Sequence, residues 1–205
     1  MTQEELFQSC ALTELTDSVL SQCEPFSCNE ADLDDFFAHD ALTYHRKLIG
    51  RTYLFVKRDT PRKIVVAFTM ANDSIRLTNK LNEESKELFL EEAELRDKDI
   101  KRYPGILIGR LGTNQEFAGQ GYGTAVMDFI KHVFRLEKRS GCRFLMVDAL
   151  NNDATISYYK KNGFKYLIDD ERLEAKYVGI GVGRLPLNTR LMYYDLLNLK
   201  IEDND

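Results

Sequence analysis

A run of about eighteen apolar residues, the length that spans a bilayer as a helix, occurs nowhere in this chain of 205 residues. The segment Met1-Thr2-Gln3-Glu4-Glu5-Leu6-Phe7 is acidic and has neither the basic nor the apolar region of a secretory signal, so a cytosolic protein is expected. Positive charge is not in surplus. Lysine and arginine number 28 against 33 acidic residues, a formal net charge of −5, which gives no general attraction to a phosphate backbone. Internal repeats and low-complexity linkers are absent, and the length suits one domain with a sizeable core. A single domain over 1–205 is the expectation.

Cysteine is sparse: Cys10, Cys23, Cys28 and Cys142. In a cytosolic chain these read as free thiols rather than a disulfide framework. Cys23 and Cys28 followed by His39 and His45 have the order of a zinc finger, but ten residues separate Cys28 from His39, where about twelve are usual. Phe36 and Phe37 fall inside an acidic helix that belongs to a larger core. No metal is expected there. Two familiar phosphate loops are missing as well. No Gly-Lys-Ser/Thr follows a glycine turn as in the P-loop. Gly119, Gly121 and Gly123 fall one residue short of the dinucleotide spacing in their last interval.

What is present is an apolar run, Ile106-Leu107-Ile108-Gly109-Arg110-Leu111-Gly112-Thr113, then the turn Gly119-Gln120-Gly121-Tyr122-Gly123-Thr124, then helical periodicity. Strand, glycine turn and helix in that order build an anion site. Glycines let the backbone turn tightly and approach a ligand. The N–H groups and positive dipole end of the helix then face a phosphate.

A second segment narrows the choice. The strand-like Arg143-Phe144-Leu145-Met146-Val147-Asp148-Ala149 leads to Asn152-Asp153-Ala154-Thr155-Ile156-Ser157-Tyr158-Tyr159-Lys160-Lys161-Asn162-Gly163-Phe164. The two segments together resemble the GNAT superfamily of acyl-CoA-dependent N-acyltransferases. Gly121 and Gly123 stand at its two loop glycines. Asn152, Tyr159 and Gly163-Phe164 match the later pattern. Thr155 replaces a common Ala, and Ala118 stands where Arg or Gln is usual, which removes one side-chain phosphate contact and leaves the backbone donors. The resemblance is strong from Ile106 to Phe164 and weak in the flanks.

It implies an α/β fold with a mixed, mostly antiparallel central sheet flanked by helices, and acetyl-CoA as co-substrate. By the same resemblance Leu111, Gly112 and Thr113 hold the pantetheine arm and help polarise the thioester carbonyl. Ala118, Gly119, Gln120, Gly121, Tyr122, Gly123 and Thr124 hold the pyrophosphate, and Asn152 contacts the cofactor. Tyr159 matches the phenol that protonates the departing thiolate; the competing reading is a core tyrosine. For the base that takes the amine proton, Glu116 and water are both candidates, and Glu116 also reads as an exposed loop carboxylate. A homodimer is possible, since dimers are common among relatives.

The rest of the chain yields coarse elements. Thr16 to Leu20 begins a short element. Asn29 or Asp32 caps a helix to about Leu48, with Leu33, Phe36, Phe37 and Leu42 apolar and Gly50 ending it. Thr52 to Val56 and Ile64 to Met70 read as a hairpin around Asp59-Thr60-Pro61. Glu83 to Arg102, with Leu88, Leu90 and Leu95, reads as a solvated helix or a substrate-facing insertion. Ala125, Val126, Phe129, Ile130, Val133 and Phe134 recur at helical spacing, with His132 on the polar side and Gly141 as the C-cap. Gly179, Gly181 and Gly183 read as a loop or hairpin tip, and Leu191 to Leu196 as the last strand.

The acceptor is open at this level: a small molecule, a peptide or an aminoacyl-tRNA. Leu107-Ile108-Gly109-Arg110-Leu111-Gly112 and Phe26-Ser27-Cys28…Leu33-Asp34-Asp35-Phe36-Phe37 resemble a toxin-type subgroup that acts on aminoacyl-tRNA. Arg46, Lys47, Arg51, Lys57, Arg58, Arg62 and Lys63 could form a local basic patch for it. An acidic surface suits basic protein substrates instead. A non-catalytic acyl-CoA-binding module remains a further reading because of Ala118.

Overall fold

The computed structural model describes residues 1–59, 62–78, 81–92, 101–136 and 141–200. Thr60, Pro61 and Leu95, named in the sequence reading, lie outside them. The chain opens with α1 (Gln3–Ser9), started by a capping box: Thr2 Oγ1 accepts from the Glu5 N–H and the Glu5 carboxylate accepts from the Thr2 N–H. Then follow β1 (Cys10–Glu14) and α2 (Asp17–Gln22), capped by Thr16. The helix expected up to Leu48 is broken into three pieces. Between α3 (Ala31–Asp35) and α4 (Ala41–Arg46) runs a π-helical turn, Phe36–Asp40, in which the Ala41 N–H reaches back to the Phe36 carbonyl. Adjacent Phe36 and Phe37 in this turn are both buried, each 6 % exposed.

Next come β2 (Arg51–Lys57), β3 (Ile64–Arg76), α5 (Glu83–Glu92), β4 (Arg102–Thr113) and α6 (Tyr122–Leu136); residues 137–140, between α6 and the expected cap Gly141, lie outside the described residues. The chain continues through β5 (Phe144–Leu150), α7 (Asp153–Lys161), β6 (Lys165–Tyr166), α8 (Glu171–Val178) and β7 (Thr189–Asp195). The fold is mixed α/β. Seven strands form one sheet in the order β1-β2-β3-β4-β5-β7-β6. Of the described pairings, β4 with β5 is parallel and the others are antiparallel.

Two compact units make up the chain, each from two segments: Met1–Ala71 with Ile108–Val133, and Asn72–Leu107 with Phe134–Asp205. The core of the first gathers Leu15, Phe36, Phe37, Ala41, Leu54, Val56, Ile64 and Ala67. Edge-to-face contacts of Phe7 and Phe129 with Phe55 extend it. The core of the second gathers Ile75, Leu77, Phe89, Tyr103, Phe144, Met146, Leu191 and Tyr193, among others.

One reading needs correction in the second unit. The charged helix α5 is not merely solvated. Its Phe89 is 2 % exposed and packs on Tyr103, Phe144 and Tyr193. Gly179, Gly181 and Gly183 lie outside the strands and α-helices, as a loop should, but the polar stretch before them, to which the sequence reading gave no element, is helix α8. Its Asp170 Oδ1 accepts from the Arg172 and Leu173 N–H groups at its start. Gly179 closes it at φ +81°, the left-handed cap that glycine alone adopts without strain.

A buried ion pair locks α8 to β7. Arg190 Nε donates to Glu174 Oε2 at 2.6 Å, the Leu191 N–H donates to Glu174 Oε1 at 2.6 Å, and the Arg190 guanidinium also reaches the Ile168 and Asp169 carbonyls. Glu174 is 1 % and Arg190 7 % exposed. Arg190→Met leaves a buried carboxylate without its counter-ion. It is expected to lower unfolding stability by roughly 3–5 kcal/mol, measured by urea denaturation; a loss below about 1 kcal/mol would show the pair to be dispensable.

Candidate active site

The C-terminal end of β4 carries Leu111, Gly112 and Thr113 in the first unit. A Cβ at Gly112 would lie 3.0 Å from Cys28 Sγ and 3.2 Å from Phe26 Cζ, so the loop before α3 packs on bare backbone here. Asp34 holds that loop. Its carboxylate accepts from Ser27 Oγ at 2.7 Å, the Cys28 N–H at 2.7 Å and Cys28 Sγ at 3.2 Å. The Ser27 carbonyl in turn accepts from the Gln115 N–H at 2.9 Å. Burial, and then the contact with Asp34, pushes the Cys28 thiol up to about 12, so it is a neutral donor. Burial pushes Asp34 upward, but its three donors outweigh that and hold it below the usual carboxylate value.

Asn114, which the sequence reading passed over, ends the strand. Its N–H donates to the Val65 carbonyl at 2.8 Å and its Nδ2 to the Ile64 carbonyl at 3.0 Å. Its Oδ1 accepts from the Glu116 N–H at 3.0 Å, which starts the 3-10 turn Gln115–Phe117. An Asn ahead of a tight turn is the usual Asx signal.

In the glycine turn, φ is +73° at Gly119 and +87° at Gly121, so both positions need glycine. No atom lies within 4 Å of where a Gly119 Cβ would stand, and Ala118, Gly119 and Gln120 are exposed. The Gly121 carbonyl accepts the Ala125 N–H at 3.0 Å, the first intrahelical bond of α6. Accessible backbone leads here into a helix N-terminus, the arrangement that fits a phosphate. The Tyr122 side chain is buried instead. Its hydroxyl accepts from Lys57 Nζ at 3.0 Å and its ring packs edge-on to Phe117. That hydrogen bond holds the Lys57 ammonium above its ordinary value. Gly123 is half-buried and Thr124 exposed.

Glu116 is exposed, as a loop carboxylate, and its Oε2 accepts from Lys63 Nζ at 2.6 Å. Several of the other cations in the suggested basic patch are similarly engaged. Arg46 pairs with Asp17 and Arg51 with Glu14. Arg62 donates to Gln22 and Arg58 to the Phe7 carbonyl. The residues of the zinc-finger-like order have their own contacts. Besides Cys28 on Asp34, His39 Nδ1 lies 2.9 Å from Asp35, and His45 Nδ1 accepts from the Thr52 N–H at 3.3 Å. Among the described residues no three such side chains group to hold a metal ion, no disulfide forms, and no helix is long and apolar enough to cross a membrane.

Asn152 and Tyr159 lie in the second unit. Asn152 is the N-cap of α7, its Oδ1 accepting from the Thr155 N–H at 2.8 Å. Tyr159, on α7, is 8 % exposed and packs edge-to-face with Tyr158 and Phe164. Burial in this aromatic setting pushes its phenol well above the ordinary tyrosine value, so it is a proton holder across the neutral range. Just before it, Asn151 Nδ2 donates to Glu171 at 3.0 Å and to the Leu187 carbonyl at 2.8 Å, a contact that fastens the start of α8.

Residues 84–166 match the family model described as the acetyltransferase (GNAT) domain. No curated protein matches the chain. Among solved structures, a Tyr-to-Phe mutant of KacT aligns with a TM-score of 0.69 at 20 % identity, over 93 % of this chain and 96 % of that one. AtaTR bound with acetyl-CoA aligns at 0.65 and 20 % identity, over 93 % and 95 %. AtaT complexed with acetyl-methionyl-tRNAfMet aligns at 0.65 and 18 % identity, over 91 % and 94 %. The segment from 84 to 166, which matches the acetyltransferase (GNAT) model, holds both the glycine turn and Tyr159, and the fold of the chain is that of the acetyltransferase toxins it aligns with.

Proposed function

We propose that the chain transfers the acetyl group of acetyl-CoA to a primary amine by direct attack on the thioester. The observation that carries this is the accessible left-handed glycine turn at the start of α6, inside the segment that matches the acetyltransferase model. Its backbone donors suit the cofactor's pyrophosphate, and the end of β4 at Leu111, Gly112 and Thr113 suits the pantetheine arm. The amine nitrogen forms a bond to the thioester carbon, the carbon–sulfur bond breaks, and the thiolate takes a proton. Tyr159 supplies that proton: burial keeps its phenol protonated, and a positioned phenol can act as the general acid as charge develops on sulfur. The amine proton leaves to water rather than to Glu116, whose carboxylate is paired with Lys63. Asn152 acts chiefly as the cap that sets the first turn of α7.

A second reading names aminoacyl-tRNA as the acceptor. It is favoured by the similarity to AtaT, solved with acetyl-methionyl-tRNAfMet. The pairing of Arg46, Arg51 and Lys63 with carboxylates weighs against a broad phosphate-binding face there. Binding of charged tRNA that weakens steeply with salt supports this reading; acetylation of free amines with no effect of tRNA removes it.

Tyr159→Phe is expected to keep acetyl-CoA binding in calorimetry and to lower turnover ~100-fold or more; unchanged turnover would remove Tyr159 from the chemistry. Gly121→Val, which forces a branched side chain into φ +87°, is expected to weaken acetyl-CoA binding at least tenfold by disordering the turn, while an unaltered affinity places the phosphates elsewhere. Stability at high pH gives a separate check. The unfolded phenol ionises near about 10 while the buried one stays neutral, so the folded state loses stability as pH rises through that value. Thermal melts between about pH 9 and 11 should therefore decline less steeply for Tyr159→Phe than for the unaltered chain.

A further inference from the structure

Within the second unit lies a cavity of about 660 Å³ that neither the glycine turn nor Tyr159 lines. Its volume is in the range of small-molecule sites. Leu77 and Met146, both members of the buried core, form an apolar floor. Asp73 on β3 shares a strand face with buried Ile75 and Leu77, and Asp148 on β5 shares one with Met146, so both carboxylates stand at the rim on the side of that core. The Lys101 carbonyl accepts the Leu77 N–H at 3.0 Å, which sets Lys101 opposite Leu77 and its ammonium on the same face. Asp73 is four positions further back along β3. The remaining wall is Tyr177 on α8, whose hydroxyl accepts the Arg76 N–H at 3.2 Å. The Glu174–Arg190 pair on the same helix holds that wall in place.

The cavity thus carries charges of both signs over an apolar floor: Asp73 and Asp148 are carboxylates, Lys101 is an ammonium, and Arg76, beside Tyr177, adds a guanidinium. Lys101, Met146 and Asp148 fall inside the segment that matches the acetyltransferase model, whereas Asp73, Leu77 and Tyr177 fall outside it. Asp148 lies two residues before the end of β5, the strand whose C-terminal end leads into α7 and Tyr159.

Resting on the acetyltransferase reading, we infer that this cavity receives the acceptor, and that the acceptor is a small zwitterion: an amine that also carries a carboxylate or a phosphate. Asp73 and Asp148 attract its ammonium and Lys101 its anion. The attraction gathers the protonated amine. Loss of one proton to water then yields the nucleophile, and the acetyl transfer balances as above.

The test uses the full chain and matched pairs of amines: amino acids against their amides, and aminoalkyl phosphates against the corresponding amino alcohols. In kinetics with acetyl-CoA, the zwitterion of a pair is expected to show a KM roughly tenfold lower, the effect of one hydrogen bond to a charged group. Lys101→Met should remove that difference, and Asp73→Asn and Asp148→Asn should raise KM with kcat little changed. The better of the carboxylate and phosphate series identifies the anion. Equal KM values within every pair, equal losses for both members in Lys101→Met, or transfer to tRNA-linked amines alone would each overturn the inference. Thermal melting separates the two claims. Stabilisation by the zwitterions that is lost in Lys101→Met upholds the cavity even if no acetyl transfer occurs, a result that would fell the acetyltransferase reading instead. No stabilisation by any member of the panel overturns the cavity, whatever the fate of that reading.

Discussion

One parallel pair in a sheet whose other described pairings are antiparallel governs this architecture. Gly105, Ile106 and Leu107 of β4 run alongside Phe144, Leu145 and Met146 of β5 in the same direction. An antiparallel neighbour could be reached by a tight turn, but a parallel one needs a long crossover, and a helix is the usual means. Residues 114–143 are that crossover, and α6 is its helix. Leaving the C-terminal end of β4, the chain must reverse quickly into the helix, and the left-handed Gly119 and Gly121 perform the reversal. The geometry proposed to bind the cofactor's pyrophosphate thus follows from the connection. A short, glycine-rich approach exposes backbone donors at the positive end of a helix dipole. Gly105 meets a related demand, since a Cβ there would come within 2.8 Å of the Phe144 carbonyl. Close approach of the two strands requires its absence.

How much of this could be read from the residues depends on how local the cause is. The glycine turn, β4, β5, α6 and α7 were legible, because turn, cap and apolar period all lie within a few residues of one another. Helix α8 was not. Its apolar positions are few, and the three glycines after it suggested a loop, although Asp170 at its start and Gly179 at its end are ordinary boundary signals. Its stability rests on Glu174 meeting Arg190, sixteen residues away, and no local pattern reveals that. The π turn at Phe36–Asp40 was hidden for a similar reason. Two adjacent residues can share the apolar face of a regular helix, as Ala125 and Val126 do in α6, so the Phe36-Phe37 pair gives no local sign of the extra residue. In α5 the leucines drew the eye, yet Leu88 is half exposed and Phe89 is the anchor.

Charge tells a comparable story at the candidate site. A count of cations between Arg46 and Lys63 suggests a basic face, but three of them are spent on Asp17, Glu14 and Glu116. Such exposed pairs contribute little to stability. Their consequence is electrostatic, since each pair cancels a charge that would otherwise attract phosphate over a Debye length. The same pairing engages the Glu116 carboxylate, which lies 2.6 Å from Lys63 Nζ.

In the proposed mechanism Tyr159 combines a core position with a chemical role. Its ring is wedged between Tyr158 and Phe164, and in a purely structural account that packing would be sufficient reason for an aromatic residue. A phenylalanine would pack as well, without a hydroxyl to desolvate, so packing alone does not call for the phenol. Desolvation, which makes the hydroxyl unfavourable for folding, also raises its pKa and keeps the proton on the oxygen at neutral pH. In the proposed mechanism the thiolate leaves into poorly solvated surroundings, and the same desolvation raises its own proton affinity, which offsets the weaker acidity of the buried phenol. On that reading the hydroxyl's unfavourable effect on stability is tied to the proton it holds for general acid catalysis.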